Sequence, residues 1–307
     1  MNELDSESSA LVALGQALRV AGYRFVTPTP ETHRIVLERD ERLARDLRDV
    51  FGWSRPFRPN LLPAELFRLA EQARVVTEGS DGLRASVRFS TLGSQLFVHS
   101  AYPTHAADSV FFGPDTYRFC AALARYMDRR ERIVDLGCGS GAGGLSVAGF
   151  AGRIVLSDIS ERALRFAAVN AELAGVAAEL VQGDGLSAVT GTVDGVICNP
   201  PYLRDRDARI YREGGGHFGE GLALRWLEEA TERLRDGGVL LLYTGAPIVD
   251  GEDWFWRAAQ PLCQSAGADV RYEELDPDVF GEELVDPIYR GVERIAAVVL
   301  VARFERR

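Results

Sequence analysis

From residue 132 onward, short apolar runs alternate with segments whose apolar residues recur every three to four positions. The runs read as strands at 132–136, 153–157, 178–182, 193–198, 238–243, 268–274 and 293–303. Helices fall between the first six. Such alternation predicts an open α/β sheet, mostly parallel and covered on both faces. The last run follows Asp286-Pro287 and Gly291 with no helix between, so the seventh strand is expected to enter antiparallel. Before residue 132 the pattern differs. Leu11, Leu14 and Leu18 mark a helix over 9–20 that stops at Gly22. A second helix is predicted over 31–50, with Ile35, Leu43 and Leu47 inward, and a third over 63–73. Residues 84–89 and 95–99 alternate apolar and polar positions around Thr91-Leu92-Gly93-Ser94, the pattern of a β-hairpin. Pro114 suits the first position of a helix reaching about Met127. The expected organisation is a small helical or winged unit with a hairpin linker, residues 1–105, followed by the sheet domain, residues 106–307. The first unit is either a substrate-recognition domain or a packing appendage.

Composition narrows the classes. Of the 307 residues 46% are hydrophobic and 26% charged, as in soluble globular chains. No apolar run approaches the ~20 residues that cross a bilayer. The start, Met1-Asn2-Glu3-Leu4-Asp5, lacks the basic opening of a secretory signal. Four cysteines, at 120, 138, 198 and 263, show neither CxxC nor metal spacing. A cytoplasmic, membrane-free protein without a metal is expected. The net charge of −10 argues against non-specific affinity for long nucleic acids. The chain has no lysine, which removes Schiff-base chemistry and the P-loop lysine. Genomic base composition is the simplest reason for that absence.

The chemistry concentrates at strand ends. Asp135-Leu136-Gly137-Cys138-Gly139-Ser140-Gly141 carries a buried strand into a glycine-rich turn, where a ligand can approach the backbone and a helix start favours a carboxylate. Gly139, Gly141 and Gly144 also spell GxGxxG, with Asp158 some way on, as in a dinucleotide fingerprint. Asp158 ends the second strand and can accept two ribose hydroxyls; capping the next helix is its alternative role, which Ser160 can also fill. Asp184, in Gly183-Asp184-Gly185 after the third strand, can accept from an adenine amine or simply sit in a turn. After the fourth strand stands Asn199-Pro200-Pro201-Tyr202. Asn offers an acceptor and two donors, the two prolines have no N–H and a fixed φ, and Tyr adds a flat face. Together they can hold a planar NH2 group.

In order and spacing, DxGxGxG at 135–141, Asp158, Gly-Asp-Gly at 183–185 and NPPY at 199–202 resemble the class I S-adenosylmethionine-dependent methyltransferases. The resemblance is closest to the release-factor glutamine N5-methyltransferases. It covers roughly Phe112 to Phe304, and the N-terminal unit only in outline. It implies a Rossmann-like seven-stranded sheet and S-adenosyl-L-methionine as cofactor. Asp135, Gly137, Gly139 and Gly141 would hold the methionine part, Asp158 the ribose and Asp184 the adenine. Asn199 and the Pro200 carbonyl would take the acceptor's N–H groups while Tyr202 stacks on it.

Pro201, His217 and Phe112 are further substrate-binding candidates. A solvated loop position for His217 and a core position for Phe112 compete with those roles. Arg204, Arg206, Arg209 and Arg212 alternate with Asp205, Asp207 and Glu213, which favours pairing within the loop. The implied activity is N-methylation of a planar amide or amine, foremost a glutamine of a protein partner such as a translation factor. The alternatives are a base amine such as adenine N6 in RNA or DNA, and small-molecule chemistry on the cofactor, including its cyclisation. A nicotinamide-dependent oxidoreductase ranks last, because NPPY has no role in one.

Overall fold

The computed structural model describes residues 4–39 and 42–305. The N-terminal unit opens with α1 (Ser6–Val20), which Asp5 caps by accepting from Ser8 N. Leu11, Leu14 and Leu18 are fully buried on one face, and Gly22 ends the helix with φ +71°. The single helix expected over 31–50 is instead two short ones, α2 (Pro30–Leu37) and α3 (Leu47–Phe51), with residues 40–41 of that prediction outside the described part. Thr29 caps α2, and Asp46 caps α3 by accepting from Asp49 N. Between them the chain leaves the helix so that Ala44 N can donate to Pro56 O. The inward stripe is therefore not built as read. Ile35 is 46% exposed, Leu43 and Leu47 are half-buried, and His33 is the buried residue of α2.

After α4 (Ala64–Gln72) come two hairpins rather than one. β1 (Val76–Gly79) pairs with β2 (Gly82–Ala85), and β3 (Val87–Leu92) with β4 (Gln95–Ser100). The first hairpin escaped the sequence reading because its residues are largely exposed and show little alternation.

The main sheet follows α5 (Pro114–Tyr126). Its parallel strands are β5 (Arg130–Leu136), β6 (Ala151–Asp158), β7 (Ala178–Gln182), β8 (Val193–Cys198) and β9 (Leu234–Val249). A two-residue strand, β10 (Glu252–Asp253), folds back on β9. β11 (Ala268–Asp276) and β12 (Val292–Phe304) complete the order β11-β12-β9-β8-β5-β6-β7. β12 runs antiparallel to both its neighbours, as expected from the missing helix before it. α6 (Ala142–Ser146), α7 (Glu161–Ala174), α8 (Gly221–Arg233) and α9 (Trp254–Ser265) make the crossovers. Between β7 and β8 the expected helix is only a 3-10 turn, Gly185–Ala188.

α5, α6 and α7 pack on one face of the sheet, and α8 and α9 on the other. α7 also belongs to the N-terminal core. Its Ala163, Phe166, Val169 and Leu173 are buried with Leu11, Leu14, Phe51 and Phe89. Strand order reverses between β5 and its neighbours β6 and β8, and Leu136 lies beside Cys198. The turns leaving β5 and β8 thus begin side by side, at the crevice where open α/β sheets bind ligands.

Candidate active site

A cavity of about 420 Å³ opens at these strand ends. On leaving β5 the chain needs three left-handed residues in alternation, Gly137, Gly139 and Gly141, with φ of +67°, +53° and +77°. A Cβ on Gly137 would come 2.5 Å from Trp226 of α8, whereas one on Gly139 would meet nothing closer than Val110 at 3.9 Å. The turn is thus packed from below and open above.

Two buried carboxylates brace it. Asp135 accepts from Gly144 N at 2.7 Å. Burial, opposed by that bond and helped by the neighbouring Asp158 charge, raises its pKa to about 7. Asp158 accepts from Gly139 N at 2.9 Å and Ser160 N at 2.8 Å, and burial raises its pKa as well. Ser160 caps α7, which leaves Asp158 free of that duty. Asp184 is different: more than half exposed, it is gripped through both oxygens by Arg225, which pulls its pKa down. No sequence signal announced Arg225, because its partner lies 41 residues away.

Beyond β8, Asn199 is half-buried and its Oδ1 is fully buried without a hydrogen-bond partner. The Tyr202 ring packs on Gly245 of β9, where a Cβ would overlap it, and makes a T-shaped contact with Phe280 at 5.9 Å. Phe280 holds φ +55°, a strained conformation for a bulky residue. The Tyr202 hydroxyl is buried beside Asp115 without reaching hydrogen-bond geometry. Asp115 is 3% exposed; its Oδ1 accepts from Tyr243 at 2.6 Å and Arg118 at 3.3 Å, and burial raises its pKa.

Residues 104–111 and 204–213 meet over the cavity. Tyr211 hydroxyl donates to Thr104 O at 2.7 Å, Ile210 N donates to Ala107 O at 3.0 Å, and Phe111 stacks on Tyr211. Two arginines of the second segment pair within the loop as their spacing suggested, Arg204 with Glu213 and Arg209 with Asp205; Arg212 reaches both Asp205 and Glu283, and Arg206 pairs outside the loop with Asp286.

Asp135, Gly137, Gly139, Asp158, Asp184, Asn199, Pro200, Pro201 and Tyr202 all line this one cavity. Three other candidates do not. Gly141 turns the chain into α6, which at five residues is too short to offer the helix start expected there. Phe112 is fully buried and stacks on His99. His217 is exposed, packing against Phe218 and Trp254. Asp115, Phe111, Tyr211 and Phe280 line the cavity although the motifs did not single them out for the acceptor. Asp115 follows Pro114 inside a conspicuous turn, the one signal that points to it.

Residues 113–247 match the family model described as the Methyltransferase small domain. The class I methyltransferase resemblance holds for this part of the chain. Over 165 residues the protein is 31% identical to the release factor glutamine methyltransferase of Lactococcus lactis, covering 50% of this chain and 58% of that one. Over 177 residues it is 31% identical to the ribosomal RNA large subunit methyltransferase G of Ectopseudomonas mendocina, covering 51% and 44%. The chain therefore spans about half the length of the curated relatives it matches. In overall fold it is similar to Trm5b of Pyrococcus abyssi, with a TM-score of 0.50 over 80% of this chain and 72% of that one, at 15% identity. No described helix is long and apolar enough to cross a membrane.

Proposed function

We propose that the protein is an S-adenosylmethionine-dependent N-methyltransferase whose acceptor is a planar amide or amine, foremost a protein glutamine. The observation that carries this reading is the Asn199 Oδ1: a buried acceptor without a donor, on the wall of a cavity that carboxylates also line. An unpaired buried polar atom costs about 1–3 kcal/mol, so it calls for a ligand that satisfies it.

The residues present fit the cofactor. Asp135 suits a cationic amino-acid end, Asp158 a pair of ribose hydroxyls and Asp184 an exocyclic adenine amine, above a glycine turn with open space over it. Bound there, S-adenosylmethionine supplies an electrophilic methyl group. The chain's own part is to hold the acceptor nitrogen. Asn199 Oδ1 and the Pro200 carbonyl accept its N–H groups, drawing its delocalised lone pair toward a tetrahedral geometry. Tyr202 covers the planar face. The proton leaves after transfer, so no histidine is needed at the site. The division into a recognition unit, residues 1–105, and a transfer domain, residues 106–307, belongs to the same proposal.

Incubation with methyl-labelled cofactor and cell extract tests the reading; the expected outcome is label in protein, on a glutamine. Label in RNA would replace the acceptor, and absence of cofactor binding would end the assignment. Asn199→Ala is expected to keep cofactor affinity within a few-fold and lose about 100-fold or more in transfer.

A second reading, a small aromatic amine as acceptor, is favoured by one observation. The contacts of Tyr211 with Thr104 and of Ile210 with Ala107 roof the cavity, which suits a compact substrate. The base-amine reading draws support from the ribosomal RNA relative. Charge opposes it: residues 1–105 hold 13 arginines against 13 acids, so the whole −10 resides in residues 106–307.

A further inference from the structure

We propose that residues 204–213 form a lid over the acceptor end of the cavity, so that the cofactor enters with the lid shut and the acceptor only after it opens. The proposal rests on the methyltransferase reading above for the identity of the two ligands, but not for the lid itself. The two ends of the cavity differ. At the end proposed for the adenosine, Asp184 and Ile159 line it while more than half exposed. At the other end, the chain that follows Tyr202 crosses to residues 104–111. There the Tyr211 hydroxyl donates to Thr104 O at 2.7 Å, Ile210 N donates to Ala107 O at 3.0 Å, and Phe111 stacks on Tyr211. A volume of about 420 Å³ lies low in the ~300–1,000 Å³ of pockets that hold one drug-sized molecule. A bound cofactor therefore leaves little room for a second molecule, and a whole acceptor needs the roof to part.

The bonds on each side show which part moves. The 104–111 side is fixed: Val110 is buried, its N–H donates to Ser100 Oγ at 2.9 Å, its carbonyl accepts from Ser100 N at 3.1 Å, and Asp108 pairs with Arg162 of α7. The 204–213 side is a loop with a narrow neck. Gly214 N donates to Leu203 O at 2.8 Å, and a Cβ on Gly214 would come 2.0 Å from Gly219 O. Beyond the neck, one flank is tied to residues 283–289. Arg212 pairs with Glu283, Arg206 with Asp286, and Arg204 N donates to the Tyr289 hydroxyl at 2.8 Å. The other flank is held by the two bonds and the stack described above, and Ala107 and Ile210 are exposed there. Solvent-exposed hydrogen bonds open first, so this flank is the latch and the first is the hinge. Ala208, which lines the cavity, holds φ +49°, a left-handed strain that the closed state imposes and opening relieves.

A disulfide across the latch tests this. The 3.0 Å bond from Ile210 N to Ala107 O keeps the two Cα atoms within about 7 Å, the upper reach of a disulfide. For the oxidised, full-length Ala107→Cys/Ile210→Cys protein, calorimetry should give a dissociation constant for S-adenosylmethionine within about threefold of its reduced form. Transfer of labelled methyl to the acceptor in dialysed cell extract should be about tenfold or more lower in the oxidised form. Equal transfer by the two forms overturns the lid, and cofactor binding lost on oxidation overturns the separate entrances. Hydrogen exchange on the unaltered protein decides whether the latch opens, even where the disulfide does not form. The Ile210 amide should exchange at least about 100-fold faster than those of Val196 and Ile197 in β8, and about fivefold faster again in Tyr211→Phe. An Ile210 amide as slow as those of β8, or one that Tyr211→Phe leaves unchanged, overturns the proposal. A latch that opens in a protein that binds no S-adenosylmethionine in either form keeps the lid and overturns the methyltransferase reading instead.

Discussion

Asp135 shows how a single residue ties folding to binding. Its carboxyl is wholly buried and its pKa is raised to about 7 from an ordinary 3.8. A group raised in the folded state contributes stability in full below its unfolded pKa and loses it as pH rises through the folded one. Wild type should therefore lose stability between about pH 4 and pH 7 relative to Asp135→Asn, by at most about 4 kcal/mol. Denaturant titrations of both proteins at pH 5 and pH 8 check this; parallel pH profiles would contradict it. On the proposed reading a cationic ligand needs the ionised form. Affinity for S-adenosylmethionine should then weaken up to about tenfold from pH 8 to pH 6 in wild type and stay flat in the variant. Gly137 gives a simpler outcome. In Gly137→Ala a Cβ at φ +67° would press on Trp226, so a loss of about 1–3 kcal/mol is expected in the same titrations.

Among the elements, α7 connects the parts of the site. Asn170, 1% exposed, accepts from Val98 N at 2.8 Å and donates to Val98 O and Ser140 O, both at 2.9 Å. One amide thus ties the hairpin strand β4 to the glycine-rich turn. Asn170→Ala leaves a buried N–H and two carbonyls without partners and should cost about 2–4 kcal/mol. Hydrogen exchange should quicken at both Val98 and the residues after Ser140; quickening at neither would remove Asn170 as the tie. Nothing in the sequence marks this asparagine, whose partners lie 72 and 30 residues away. The five inner strands of the main sheet, by contrast, were legible because doubly covered strands carry continuous apolar runs, while the edge strands β7 and β11 are only half-buried; the strand-end motifs were legible because glycines and acids there have few other uses. The helix over 31–50 was misread because its apolar stripe is sparse and the Asp46 cap and the Ala44–Pro56 bond start a separate helix there. Asp115 and Arg225 stayed hidden because each acts across elements.

At the scale of the whole molecule, the two units share a core, so their division in sequence is not a division in folding. α7 turns Ala163, Phe166, Val169 and Leu173 toward the N-terminal helices. Gly15 of α1 admits Leu173 so closely that a Cβ there would come 2.9 Å from it. Arg165 reaches Glu7 and Ser8, and Arg19 donates to Leu173 O. Exposing three large side chains and an alanine forfeits roughly 5–9 kcal/mol of burial. A domain's entire stability is about 5–15 kcal/mol. Residues 106–307 expressed alone should therefore be insoluble, or should bind a hydrophobic dye and melt without cooperativity, although they contain every motif of the cofactor site. Replacing Phe166 and Leu173 by polar residues in that fragment should improve solubility, since it removes the exposed apolar face and leaves the sheet intact. A cooperative melt near that of the full chain, measured by calorimetry on the unaltered fragment, would show that the N-terminal unit is an appendage after all. The expected failure would make that unit part of the scaffold that holds α7, and through Asn170 the glycine turn, in place.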